Sequence, residues 1–220
     1  MFILLAFLVQ VLPLGLAPLV LVMQPAPESS GNATPPIGRG FSLLDKGEYD
    51  SAIKEFNEAI RLDPRGEQII DGHKSVAWAY LGRGNARLGK HDLDNGSADL
   101  AEAIRLAPKN PSPLISRGSM LAMKGELDKA INDYDRAIEL DPVNALAHNN
   151  RASAFLMKCD WDQAIKDYDV AIPRLPPKLV VASINSRAYA WAKKGETARA
   201  LKDYSESLKL DLNVGSAHRP

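Results

Sequence analysis

The stretch MKGELDKAINDYDRAIELDP, residues 123–142, occurs in variant form three more times: DKGEYDSAIKEFNEAIRLDP at 45–64, MKCDWDQAIKDYDVAIPRLP at 157–176 and, more weakly, AKKGETARALKDYSESLKLDL at 192–212. Pro108, Pro142 and Pro176 are spaced by 34 residues, whereas Pro64 and Pro108 are 44 apart, which puts about ten extra residues near EQIIDGHKSV, 67–76. Within each copy apolar residues recur every three or four positions, as in Ala130, Ile131, Tyr134, Ala137 and Ile138, with a turn glycine before them in most copies. That period belongs to an amphipathic helix, because 3.6 residues per turn return such positions to one face. No segment alternates strictly between apolar and polar residues, so an all-α chain is expected.

The ends differ from the repeats. The first 23 residues carry no charged side chain and read as an export signal or membrane anchor over 1–23, although Pro13, Gly15 and Pro18 interrupt helical hydrogen bonding. The protein is accordingly expected to be exported or membrane-anchored, with membrane association through residues 2–23. Residues 24–36, QPAPESSGNATPP, are too poor in apolar groups to offset their ordering entropy and read as a linker. The array is expected over 37–214 and a short tail over 215–220. With 27 basic and 27 acidic side chains the formal net charge is zero, so no global field attracts a polyanion and no nucleic-acid partner is expected. One cysteine, Cys159, excludes an internal disulfide and a cysteine metal cluster.

A 34-residue period with two helices, small residues at fixed points and a closing proline resembles the tetratricopeptide repeat (TPR) family, over units near 33–66, 77–110, 111–144, 145–178 and 181–214. The small residue at position eight of each unit is Gly40, Gly84, Gly118, Ala152 or Ala188, and the large one at position 24 is Phe56, Leu100, Tyr134, Tyr168 or Tyr204. His91 and Cys159 stand where the family has its turn glycine, and Pro173 is placed to end a helix early. The resemblance implies a right-handed superhelical solenoid of about five helix-turn-helix units, with the first helices lining a concave groove. It implies a non-enzymatic adaptor that binds a peptide or protein. Carried over residue by residue, the groove would present Trp78, Asn85, Ser119, Met123, Asn149, Ser153, Met157, Asn185 and Tyr189. Asparagine amides can pair with both N–H and C=O of an extended peptide, and methionine adapts to its side chains. Two other roles are open: an accessory subunit of an enzyme on another chain, and self-association through an uncapped last repeat.

Position seven is arginine in all five units (Arg39, Arg83, Arg117, Arg151, Arg187) and position 23 is acidic in all five (Glu55, Asp99, Asp133, Asp167, Asp203), which predicts a ladder of ion pairs. Gly84, Gly89 and Lys90 are spaced like a phosphate-binding loop, but His91 replaces its hydroxyl residue and no strand precedes it, so these are helix residues. The four histidines have no metal-ligand spacing, and no nucleophile is set beside a base. Neither catalytic residues, nor a metal, nor a cofactor is expected.

Overall fold

The computed structural model describes residues 35–70 and 72–217, with side chains described as far as residue 210. The expected segment 1–23, most of the linker and the last three residues of the tail lie outside this range. The helices are α1 (Pro35–Asp45), α2 (Tyr49–Leu62), α3 (Ser75–Gly89), α4 (Leu93–Leu106), α5 (Ser112–Met123), α6 (Leu127–Leu140), α7 (Ala145–Met157), α8 (Trp161–Ala171), α9 (Pro177–Lys193) and α10 (Thr197–Ala217). None of the described helices is long and apolar enough to cross a membrane. Pro35 and Pro36 open α1 rather than closing the linker, as proline can in a first turn, where no intrahelical N–H partner is lost. Pro173 acts as expected: α8 stops at Ala171 and a single 3₁₀ turn, Ile172–Arg174, follows.

Each odd-numbered helix packs on the next to form a hairpin, each hairpin packs on its neighbours in sequence, and consecutive first helices touch along one side. Position eight explains the closeness of the two helices. A Cβ on Gly118 would lie 2.6 Å from the Tyr134 ring, and one on Gly84 would lie 2.8 Å from Leu100. Phe56, Leu100, Tyr134 and Tyr168 are wholly buried between units. Gly84 is thus a packing glycine, and Lys90 is paired with Asp50 of the preceding unit rather than placed over a phosphate cradle.

The expected all-α architecture is interrupted, among the described residues, only at the insertion, where β1 (Ile69–Ile70) pairs antiparallel with β2 (His73–Lys74) before α3 begins at Ser75. Asp63 holds the base of this ribbon, accepting from the backbone N–H of Glu67 at 2.8 Å and Gln68 at 3.2 Å and from the Ser75 hydroxyl at 2.5 Å. Burial opposes its ionisation, but these bonds hold the Asp63 carboxyl below its ordinary value.

Two ion-pair ladders run along the stack. In every unit the position-seven arginine donates through Nε and Nη2 to the position-23 acid of its own unit; for Arg117 and Asp133 both distances are 2.7 Å. Four of these acids, Asp99, Asp133, Asp167 and Asp203, are buried. The second ladder joins a lysine at position 14 to an aspartate at position 18 of the unit before it: Lys90 to Asp50, Lys124 to Asp94, Lys158 to Asp128 and Lys194 to Asp162. These outer pairs are largely exposed and each contributes little, whereas a buried carboxylate deprived of its arginine is costly.

The turn between helices is left-handed at position 15 in all five units, with φ of 74° at Gly47, 60° at His91, 79° at Gly125, 60° at Cys159 and 81° at Gly195. A side chain crowds the following carbonyl there, so His91 and Cys159 are strained relative to glycine. His91→Gly and Cys159→Gly are each expected to stabilise the protein by about 0.5–1 kcal/mol in urea unfolding; a loss of stability in both would refute this account of the turn. Arg117→Ala, which leaves Asp133 buried without its counter-ion, is expected to cost about 3 kcal/mol in the same assay. A cost near that of an exposed pair would show that the ladder is not structural.

Candidate functional site

The groove residues inferred from the repeats all sit on first helices, but the structure divides them in two. Trp78, Asn85, Ser119, Asn149 and Ser153 are buried, at 3–8% exposure. Trp78 is closed off by the inserted ribbon: its indole N–H donates to the Ile70 carbonyl at 3.1 Å, and its ring meets Phe41 and His73 edge to face. It is part of the core and presents no surface to a ligand, because the ribbon occupies the space that the repeat pattern alone would leave open.

The buried polar groups form a network across α5, α7 and α9. The Ser183 hydroxyl donates to Asn149 Oδ1 at 2.7 Å, Asn149 Nδ2 to Asn150 Oδ1 at 3.3 Å, and Asn150 Nδ2 to Ser119 Oγ at 3.2 Å. Ser119 also accepts from the Tyr134 hydroxyl at 3.3 Å, and Ser153 lies 3.0 Å from that of Tyr168. Burial raises both phenols above their usual values, opposed by these serine hydrogen bonds, so they stay protonated and able to donate. Asn149 is therefore a bridge between first helices, not a free amide on a surface. Asn150 and Ser183, which the repeat positions did not single out, complete it. Asn85 stands apart: its buried Oδ1 has no hydrogen-bond partner among the described residues.

The remaining four are accessible. Met123 and Asn185 are exposed, and Met157 and Tyr189 are half-buried. They come from consecutive first helices α5, α7 and α9. Tyr189 packs edge to face on Trp161 and lies 5.3 Å beneath the Lys193 ammonium, which holds its ring in place. Asn185 Oδ1 accepts from the Ser207 hydroxyl at 2.6 Å. His148 is held between Asp167, 2.9 Å from Nδ1, and the Pro142 carbonyl, 3.1 Å from Nε2, which makes it another tie between α7, α8 and the preceding turn.

The family model described as TPR repeat matches residues 118–158, and the one described as Tetratricopeptide repeat matches residues 37–65. Both matched stretches are tetratricopeptide repeats. Among solved structures it is similar to MamA at 21% identity, with a TM-score of 0.65 over 80% of this chain and 96% of that one. It is similar to YrrB, described as a TPR protein with an unusual peptide-binding site, at 20% identity and a TM-score of 0.58 over 83% of this chain and 88% of that one. A thermophilic TPR protein in Thermus thermophilus is 19% identical, with a TM-score of 0.63 over 83% and 95% of the two chains. At these identities the likeness is one of fold. No curated protein matches the sequence significantly.

Because Asn149 ties α7 to α9 through Ser183 and, through Asn150, to Ser119 of α5, Asn149→Ala is expected to lower stability by about 1–3 kcal/mol, whereas Met123→Ala stays within about 0.5 kcal/mol of wild type. Chemical denaturation of the two variants checks this, and an Asn149→Ala protein as stable as wild type would show that the network does not hold the first helices together.

Proposed function

We propose that this TPR protein is a non-enzymatic adaptor that holds an extended segment of a partner protein against the first helices of its third, fourth and fifth units. The observation that carries this reading is the accessibility of Met123, Met157, Asn185 and Tyr189 on three consecutive first helices, next to a rigid hydrogen-bonded network that orders those helices. Methionine and tyrosine offer adaptable contact area at modest entropic cost, and the Asn185 amide keeps donors for a peptide carbonyl. The likeness in fold to YrrB supports a peptide as the class of ligand. The uncharged run at residues 2–23 supports placing the array at or beyond a membrane, with the partner met there.

A second reading, self-association, has its own observation. Leu201 and Leu208 are each 60% exposed and Tyr204 38%, on the outer face of α10, where the corresponding residues of inner units are covered by the next hairpin.

The groove reading is tested by selecting peptides from a random library on the immobilised full chain and measuring the selected peptide against variants. Tyr189→Ala and Met157→Ala are each expected to weaken binding by about 1–2 kcal/mol with little change in melting temperature. Selected peptides that bind both variants as tightly as wild type, but lose Leu201→Glu, would move the binding surface to the terminal helix.

A further inference from the structure

The arginine ladder has a third contact that links units. Nη1 of Arg83 donates to Asn57 at 2.6 Å, that of Arg151 to Asp135 at 2.6 Å and that of Arg187 to Asp169 at 2.7 Å. Each acceptor sits at position 25 of the preceding unit. At the junction between the second and third units that position is Ala101, and among the described residues Arg117 Nη1 makes no hydrogen bond. The same second helix carries Ser97 at position 21, where the other units have Ile53, Ile131, Ile165 and Leu201. Two truncations one turn apart on α4 thus remove both an acceptor and a filling side chain.

A pocket of about 500 Å³ opens at this junction, lined by Ser97 of α4, by Arg117 and Leu121 of α5, and by α6 residues that include Asn132, Asp133 and Arg136. Its acids are already neutralised, Asp133 by Arg117 and Asp128 by Lys158. Lys129 is turned to Glu126. Arg136 forms no ion pair among the described residues, so the pocket offers two guanidinium groups and the Asn132 amide to an incoming anion. Arg117 and Ser119 are two residues apart on α5, about 200° around the helix, so this pocket opens away from the network and groove of the first-helix row.

We propose that this pocket binds a carboxylate, which occupies the place that Asp135 and Asp169 hold at the later junctions, with Arg117 Nη1 and Arg136 as its donors. The chemistry is that of a charge-assisted hydrogen bond to a planar guanidinium, and the carboxylate comes either from an acidic side chain of a protein or from a free dicarboxylate. The site is independent of the groove reading.

The experiment titrates the full chain with a hexaglutamate peptide and, separately, with glutarate, by calorimetry at low and high salt. At least one of the two is expected to saturate wild type and to weaken with salt. Ala101→Asp, which supplies the missing acid internally, abolishes that binding while the protein melts no lower than wild type. Arg136→Gln weakens it about tenfold, and Tyr189→Ala leaves it unchanged. Binding of hexaglutamate alone assigns a protein side chain, and binding of glutarate assigns a free dicarboxylate. Failure of both to bind wild type, or equal binding by wild type, Ala101→Asp and Arg136→Gln, overturns the proposal. Loss of binding in Tyr189→Ala with Ala101→Asp unaffected would place the anion in the groove and overturn it as well.

Discussion

The structure depends on a buried carboxylate in each of its last four units. Asp99, Asp133, Asp167 and Asp203 lie on second helices within the stack, where an unpaired charge would cost several kcal/mol. Each is reached by the forked end of an arginine from the first helix of the same hairpin, in two parallel hydrogen bonds that a flexible ammonium could not reproduce. Because the fork is planar and the acid is enclosed, the pair tolerates little sliding of one helix along the other. Apolar packing supplies the larger driving force, and the small residue at position eight that admits the position-24 side chain already selects one register. The ion pair reinforces it. In three of the four junctions the third guanidinium nitrogen extends the same constraint to the preceding unit, so the geometry within a hairpin and that between hairpins share one side chain.

Much of this could be read in the sequence because the relevant information is periodic. Position eight must be small wherever position 24 is large, position seven faces position 23, and a 34-residue ruler aligns both, so the hairpin register and the ladder emerge from counting. The inserted ribbon did not. EQIIDGHKSV is too short to show a strand period, and its place is fixed by Asp63 and Ser75 at its base and by Ile70 against Trp78, contacts that no repeat predicts. Which of the expected groove residues are accessible was not legible for a related reason. Position within a unit says that Asn149 and Met157 lie on the same side of the stack, but not which of them is covered by the neighbouring first helix. Ser183 reaches Asn149 across 34 residues, one full period, and whether a short hydroxyl lies there or a longer side chain decides whether the amide is consumed or displayed.

Substitutions at single repeat positions also set the junction between the second and third units, and the end of the array, apart from the other junctions. Position 18 is aspartate in the first four units and receives the next unit's lysine, but is Ala198 in the fifth; position 25 there is Ser205. The fifth unit has therefore given up both acceptors through which an inner unit holds its successor, while keeping the apolar residues Leu201, Tyr204 and Leu208. A second copy stacked head to tail would bring Lys46 and Arg39 of its first unit to this face and find no carboxylate at either ladder position, Ala198 or Ser205. Two copies meeting through their last helices would instead bring Leu201, Tyr204 and Leu208 of each against the same residues of the other, as a two-fold interface requires. If this end of the array is an interface between copies, the loss of its ladder acids favours a closed pair over an open filament.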